Sequence, residues 1–228
     1  MQFKFLFLLL LLVLFGCQVE SPTKQSKIVN KTTTVKPKKV KKIIYPTLEG
    51  FTNIQTIAPT IALDIRYATT ENFVKEQIYP CAACYLRPEV AQALAYANTK
   101  LRKKGYGLKV FDCYRPRPAQ QRLWDKVPNP SYVTPPSKGS MHNRGMAVDV
   151  TVFDVKAMRE LYMGTPYDFF GMKAHTDYPS LAPKIVQNRK ILTEAMLEAG
   201  FRGIRTEWWH FYYAGPLDKL SSVEWECE

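Results

Sequence analysis

Acidic residues are almost absent from the first 42 positions of this 228-residue chain, where one glutamate stands against nine lysines. That segment carries a net charge of +8 out of the +12 of the whole chain, which leaves about +4 for everything that follows. The basic balance is therefore a property of the N-terminal segment and not of a folded surface. It gives no ground for a nucleic-acid partner, and we expect none.

The chain also lacks an apolar run long enough to cross a bilayer. Its longest run, residues 5–15, is shorter than the roughly 20 residues that a spanning helix needs. A run of this kind is typical of a signal peptide, here residues 1–17. Leu14-Phe15-Gly16-Cys17 is similar to a bacterial lipobox, although phenylalanine is bulky for its position there. We expect export, with Cys17 acylated in a periplasmic or cell-surface lipoprotein; plain secretion and a retained anchor are the alternatives.

Aromatic residues are nearly missing from residues 18–45, which are rich in Lys, Thr, Ser and Val. Such a segment cannot bury enough apolar surface to fold, and we predict a flexible tether. Its lysines act either as a solubilising spacer or as a weak contact with anionic lipid or wall polymer. Residues 46–228 show no internal repeat and are long enough to form one domain with its own core.

Histidine is scarce, with three residues in the whole chain. Two of them, His142 and His210, lie in segments that also contain Asp149 and Glu207. Two imidazoles and one carboxylate leave a fourth position of zinc open for water, whereas closed structural sites favour thiolates. We predict that His142, Asp149 and His210 hold one Zn²⁺ per chain. Glu207 is then a general base that later acts as an acid, and His175 is predicted to be structural or exposed.

The first of these segments is predicted to present its aspartate from a strand. Residues 146–153 are rich in β-branched side chains, and alternation turns Asp149 away from the face that carries Val148, Val150 and Val152. The turn at Asn143-Arg144-Gly145 lets the chain fold back, so that His142 approaches the same ion from a loop.

The second segment needs an irregularity. Residues 209–213 alternate as a strand, but a regular strand would place Glu207 and His210 on opposite faces. A turn or bulge near Trp208 is therefore required. The aromatic residues of this segment could form a sugar-binding platform, but core packing around the metal is the favoured interpretation because they occupy both faces of a short strand.

Five segments of the domain carry a family resemblance in their order. They are Arg66-Tyr67-Ala68-Thr69-Thr70-Glu71-Asn72-Phe73, Phe111-Asp112-Cys113-Tyr114-Arg115-Pro116, Ser140-Met141-His142-Asn143-Arg144-Gly145-Met146-Ala147-Val148-Asp149, Met163-Gly164-Thr165-Pro166-Tyr167-Asp168-Phe169 and Glu207-Trp208-Trp209-His210. Together they resemble the zinc D-alanyl-D-alanine dipeptidases of the vancomycin-resistance type, within the zinc peptidases that cut D-amino acid bonds in peptidoglycan. The resemblance implies an α+β fold with a central antiparallel sheet flanked by helices, and hydrolysis of D-alanyl-D-alanine.

The same resemblance implies roles for four more residues. Arg115 would lie beside the zinc and stabilise the charge on the scissile carbonyl oxygen, a task that suits a fixed guanidinium. Tyr67 and Ser140 would contact the substrate, and Asp168 would hold its free amino terminus. On the sequence alone, Tyr67 is almost as well explained by loop packing, and Ser140 by capping a turn.

Periodicity predicts the remaining elements. The predicted elements are a strand over 57–67, helices over 88–104 and 185–200, a strand over 108–111 and a proline-rich loop over 129–138. The second helix is expected to bury Val186, Ile191, Leu192, Met196 and Leu197. Arg117 and Arg122 are interpreted as solvated helix charges, and Asp112 as a residue that orients its neighbours.

Apart from Cys17, the chain has four cysteines, an even number that favours disulfides in an exported protein. The helix after Cys84 runs out and the strand before Cys113 runs back, which predicts that these two are paired. Cys81 and Cys227 are the remaining pair. The rival idea of a redox pair or zinc knuckle at Cys81 and Cys84 lacks a second half.

Two other functions remain open on the sequence. One is a DD-carboxypeptidase or endopeptidase that acts on wall peptides, which would require an open cleft in place of Asp168. The other is a lipoprotein that binds cell wall without catalysis, for which the intact Glu207 has no use.

Overall fold

A mixed sheet carries the functional residues, and the computed structural model describes it within residues 47–227. The strands are β1 (Thr52–Asn53), β2 (Ala62–Leu63), β3 (Tyr85–Leu86), β4 (Tyr106–Asp112), β5 (Ala147–Asp154), β6 (Arg159–Glu160), β7 (Phe201–Gly203) and β8 (His210–Tyr213), and the helices are α1 (Ile54–Ile57), α2 (Pro88–Arg102), α3 (Arg117–Lys126) and α4 (Pro183–Glu198). The predicted signal peptide over 1–17 and tether over 18–45 lie outside the described residues.

The strands of the main sheet follow the order β2-β4-β5-β8-β7, with β6 also paired to β5, while β1 and β3 form a separate pair. All pairings within the main sheet are antiparallel except β2 with β4, which is parallel. The predicted α+β class with helices against a sheet is confirmed. The parallel strand is a small departure from the all-antiparallel expectation.

Helices α2 and α4 pack together and cover one face of the sheet. The predicted apolar stripe of α2, from Val90 through Leu94 and Ala97 to Leu101, is buried, and Pro88 stands at the first turn where its missing N–H costs nothing. On the sheet side, Val148, Val150 and Val152 are fully buried, as alternation along β5 predicted. Asp149 therefore faces away from the helices, toward the loops on the other side of the sheet.

The prediction for α4 is correct for the helix and partly wrong for its face. Leu192 and Met196 are buried, but Val186 and Leu197 are about half exposed. Asn188 and Arg189 are buried instead, because Asn188 donates to the Tyr162 carbonyl and Arg189 to three carbonyl oxygens of the loop after β6. A polar helix face is thus used to hold a loop, which periodicity alone does not reveal.

The strand predicted over 57–67 is wrong. The segment contains the end of α1, a turn, the two-residue β2 and a 3₁₀ turn over Arg66–Ala68. Asn53 caps α1 by accepting from the Gln55 N–H, and this helical turn ends at Ile57, where the strand was predicted to begin. Tyr67 consequently lies in a short turn and not at the end of a long strand.

Two disulfides close the structure, Cys84 with Cys113 and Cys81 with Cys227, which is the pairing that the topology predicted. The second bond attaches the C-terminal segment, whose Trp225 packs on Tyr79 and Tyr85. Within residues 47–227, no helix is both long and apolar enough to cross a membrane.

Candidate metal centre and active site

Strand register brings two of the predicted ligands together. Asp149 on β5 lies directly opposite His210 on β8. On the other side of β5, Asp149 lies opposite Asp112 at the end of β4. A register irregularity between Val110 and Asp112 allows this alignment at the end of β4. The backbone bends at Trp208 and Trp209 just before β8, which is the interruption that the sequence required between Glu207 and His210.

The remaining ligand comes from a tight turn. His142 begins a 3₁₀ turn, and Gly145 ends it with a φ of 72°, in the left-handed region that favours glycine. A Cβ at Gly145 would lie 2.5 Å from the Phe51 ring, so the position also requires a residue without a side chain. The turn reverses the chain into β5 and leaves the His142 ring beside Asp149.

The three ligand atoms form a compact triangle. His142 Nε2 lies 3.1 Å from His210 Nδ1 and 3.4 Å from Asp149 Oδ1, and His210 Nδ1 lies 3.0 Å from that same oxygen. Ligand atoms around a tetrahedral zinc with bonds of about 2.0–2.1 Å are separated by about 3.3 Å. The donor set and its spacing therefore fit Zn²⁺.

The surroundings orient these ligands. The Cys113 carbonyl lies 2.7 Å from His142 Nδ1 and accepts a hydrogen bond from it, which leaves Nε2 free as a ligand. The Tyr167 hydroxyl donates to Asp149 Oδ2 over 3.0 Å. Although burial disfavours a charged carboxylate, the two imidazoles hold the pKa of Asp149 well below its usual range, so its oxygens remain ionised.

Glu207 and Arg115 line the same cavity as the ligands, a space of about 300 Å³. Burial, reinforced by the charge of Asp149, raises the pKa of Glu207, which brings a carboxylate closer to the range useful for a base near neutral pH.

Arg115 is held in place by charged and polar neighbours. Its Nε and Nη2 both donate to Asp112 Oδ2, at 3.1 and 2.6 Å, and Nη1 donates to Gln120 at 2.9 Å. The guanidinium also lies over the Tyr67 ring. Asp112 orients its neighbours, as predicted, and accepts from the Tyr79 hydroxyl as well.

The predicted substrate contacts also reach this cavity. Tyr67, Ser140 and Asp168 all line it, and the Tyr67 hydroxyl donates to Asp168 Oδ2 over 2.9 Å. Burial and then the charge of Asp149 raise the pKa of Asp168 well above its usual range. A bound ammonium would favour its ionised form. Ser140 additionally caps the turn before His142, because its Oγ accepts from the Asn143 N–H.

The other predicted residues lie away from the ligands. His175 is half-buried, with its Nδ1 bonded to Arg205, as expected of a structural histidine. Arg122 is exposed, but it donates to two carbonyls of residues 77–78 and is therefore less free than a solvated charge. Trp208, Trp209 and Phe211 are buried, so they form core and not a sugar platform.

Sequence reasoning overlooked Tyr167, Gln120 and the Cys113 carbonyl as supports of the site. Tyr167 stands in one of the segments that carried the family resemblance, which is the signal that could have identified it. Gln120 offers no such signal, because an amide on a helix has no pattern of its own. The supporting carbonyl is invisible in sequence, since every residue has one.

The sequence is similar to known proteins over most of the described domain. The sequence profile of the D-ala-D-ala dipeptidase family matches residues 47–222. The chain is 36% identical to the D-alanyl-D-alanine dipeptidase of Escherichia coli (strain K12), over 70% of this chain and 82% of that protein. It is 29% identical to the D-alanyl-D-alanine dipeptidase of Enterococcus faecium, over 71% of this chain and 90% of that protein.

Among solved structures, the chain is similar to a zinc-bound vancomycin-resistance D,D-pentapeptidase. The identity is 18%, the TM-score is 0.39, and the match covers 58% of this chain and 74% of the other. At that score the similarity is a loose one.

Proposed function

Because the chain belongs to the D-alanyl-D-alanine dipeptidase family of metallopeptidases, we propose that it hydrolyses the free dipeptide D-alanyl-D-alanine with zinc as its cofactor. The observation that carries the proposal is the triangle of His142, Asp149 and His210 atoms in a cavity that also contains Glu207. A site that only bound metal or wall polymer would have no use for a half-buried carboxylate beside the ligands.

Zinc, when held by His142, Asp149 and His210, supplies a Lewis acid that polarises the scissile carbonyl and acidifies water. Glu207 accepts a proton from the attacking water at its carboxylate and returns that proton to the leaving amine nitrogen. Its raised pKa suits both steps, because the carboxylate must first take and then release the proton near neutral pH.

Arg115 faces the negative charge that develops on the carbonyl oxygen. The bonds to Asp112 and Gln120 fix the guanidinium before substrate arrives, so little reorganisation is needed during the reaction. The adjacent Asp112 carboxylate also keeps Arg115 protonated.

Asp168 is assigned to the free amino terminus of the dipeptide, and Tyr67 positions that carboxylate through its hydroxyl. An ammonium beside Asp168 gains a charge-assisted bond, whereas an acylated amine leaves the half-buried carboxyl group without a cationic partner. This asymmetry favours a dipeptidase over an enzyme that trims long wall peptides. Ser140 lies on the same cavity, and its hydroxyl is available to the substrate as an acceptor or donor.

The test combines metal analysis with a hydrolysis assay on the full chain. We expect about one zinc per chain and turnover of D-alanyl-D-alanine. Glu207→Gln should retain the zinc and lose about 100- to 10,000-fold in kcat. Glu194→Gln, on the exposed side of α4, is the matched control and should change neither value. A zinc-loaded wild type that turns over no D,D-peptide would contradict the proposal.

We further propose that the enzyme works outside the cytoplasm, attached to a membrane through an acylated Cys17. Support comes from the apolar run and lipobox-like segment before Cys17, and from two disulfides, which are typical of oxidising compartments. Mass spectrometry of the protein extracted from membranes should find a diacylated N-terminal cysteine. Cys17→Ala should release the protein from the membrane fraction, and an unmodified Met1 would contradict this assignment.

A further inference from the structure

Glu207 lines three cavities within the described residues, and two of them also share an aromatic pair. The first is the catalytic cavity of about 300 Å³, and the second is a neighbouring space of about 230 Å³. Both are lined by Glu207, Tyr132 and Phe170, while the metal ligands and Asp168 belong only to the first of them. The second cavity therefore adjoins the reaction centre without reaching the carboxylate assigned to the substrate amine.

Tyr132 and Phe170 form a stacked pair between these two cavities, which we name the ring gate. Their ring centroids lie 4.5 Å apart with an interplanar angle of 28°. The two rings come from different loops, one before the His142 turn and one after Asp168, and both are well exposed, at 46% and 38%. The contact thus joins two loops over the opening of the site.

The two rings of the ring gate differ in how firmly they are held: Phe170 packs against further aromatic rings, whereas Tyr132 has fewer contacts. Phe170 packs edge-on against Phe73, which in turn packs against Tyr67, so a row of rings leads back to the Asp168 contact. The Tyr132 hydroxyl has no hydrogen-bond partner among residues 47–227. Stacking between two exposed rings is a weak contact, whose removal should widen the site without unfolding the domain.

We propose that the ring gate sets the length of substrate accepted on the carboxyl side of the scissile bond. The inference rests on the proposed function, which orients the dipeptide with its amine at Asp168 and its peptide bond at Glu207. A residue added after the second alanine would then extend past Glu207 toward the second cavity, where the ring gate stands. Asp168 would exclude peptides that are extended at the amino end of the dipeptide, and the ring gate would exclude peptides that are extended at its carboxyl end.

The ring gate would exclude peptides that begin with a D-alanyl-D-alanine unit whose amine is free and that continue at the carboxyl end of this unit. Such peptides keep the ammonium that Asp168 requires, so only steric exclusion discriminates against them. Loss of one ring removes that obstacle and opens the way into the second cavity.

The experiment compares three substrates on full-length, zinc-loaded protein: D-alanyl-D-alanine, D-alanyl-D-alanyl-glycine and N-acetyl-D-alanyl-D-alanine. The measured quantity is kcat/KM for each longer substrate divided by that for the dipeptide. Phe170→Ala should raise the ratio for the glycine-extended peptide about tenfold over wild type. The ratio for the acetylated peptide should stay unchanged, because Asp168 still rejects it. Tyr132→Ala removes the other ring and should act in the same direction.

Phe169→Ala is the matched control, because Phe169 is the neighbouring ring, is equally exposed at 37% and lines the second cavity but not the catalytic one. It should leave both ratios within about twofold of wild type. The proposal is overturned if the Phe170 and Phe169 variants behave alike. It is also overturned if Phe170→Ala raises the ratio for the acetylated peptide instead.

A binding measurement separates this inference from the proposed function. In a Glu207→Gln background, calorimetry should show that Phe170→Ala increases affinity for the glycine-extended peptide relative to the dipeptide. If wild type fails to hydrolyse the dipeptide but this shift is present, the function fails and the ring gate stands. If hydrolysis is present and the shift is absent, the ring gate fails and the function stands.

Discussion

Asp149 and His210 lie opposite one another on paired strands, whereas Asp168, Tyr132 and Phe170 lie on loops above the same sheet. The paired strands place each ligand through backbone hydrogen bonds that many neighbouring residues share. The loops place their side chains through a few local contacts, such as the Tyr67 bond to Asp168 and one pair of stacked rings.

Metal binding and substrate selection therefore depend on different parts of the enzyme. Metal chemistry needs ligand atoms held within a few tenths of an ångström, which strand register and buried packing provide. Substrate selection needs only a wall of suitable shape and charge, which loops can provide and can change without disturbing the sheet. Variants in the two regions should therefore fail in different ways.

The largest effect is expected from His210→Ala on the sheet. Loss of one of three protein ligands should remove the zinc and lower kcat/KM by about 10,000-fold or more, since the metal contributes several kcal/mol to the barrier reduction. Metal analysis and the dipeptide assay measure both quantities. His175→Ala is the control, because this histidine lies outside the ligand cluster, and its zinc content should match wild type. Equal zinc in the two variants would refute the ligand set.

A smaller and more selective effect is expected from Asp168→Asn on the loop. Zinc should stay bound, while kcat/KM for the free dipeptide falls by about 10- to 100-fold, because a charge-assisted bond to the ammonium is lost. Activity on N-acetyl-D-alanyl-D-alanine should not fall, which makes the acetylated peptide an internal control. A uniform loss on both substrates would show that the carboxylate supports the fold and not the substrate amine.

The smallest effect is expected from removing the contact between Tyr167 on the loop and Asp149 on the sheet. Tyr167→Phe removes the hydroxyl that donates to Asp149 Oδ2 and should weaken zinc binding by about 10-fold, at the lower end for groups that orient a metal ligand. Competition with a chelator measures the affinity. Tyr162→Phe in the same segment is the control, because its hydroxyl bonds only to the Gly164 carbonyl at the surface. If both variants bind zinc as tightly as wild type, the loop does not support the metal centre.

Much of the site could be predicted because its chemistry depends on residue types that can be recognised in the sequence. Two of only three histidines stand in segments that contain Asp149 and Glu207, and few other sites use that set. Alternation along β5 correctly separated the valines from the aspartate, because the face that packs against the helices is apolar, while the other face, although also buried, carries polar side chains. The disulfide pairing followed from the path of α2 and β4, which returns the chain to its starting point.

Predictions failed where local pattern and tertiary contact disagreed. Residues 57–67 alternate like a strand, yet the Asn53 cap begins a helical turn just before them, and only two residues reach the sheet. Val186 and Leu197 fit the apolar stripe of α4, but the helix turns Asn188 and Arg189 inward because a loop needs donors for its carbonyls. Such needs arise from segments that are distant in sequence.

Residue types alone specify the groups that are available for chemistry: two imidazoles, an aspartate, a nearby glutamate, a guanidinium and the cysteines that form the disulfides. Folding then sets which of their atoms face one another, because strand register, the bend before β8 and the turn at Gly145 fix the direction of each side chain. It also decided the ring gate, since Tyr132 and Phe170 belong to separate loops that meet only when both pack above the folded sheet.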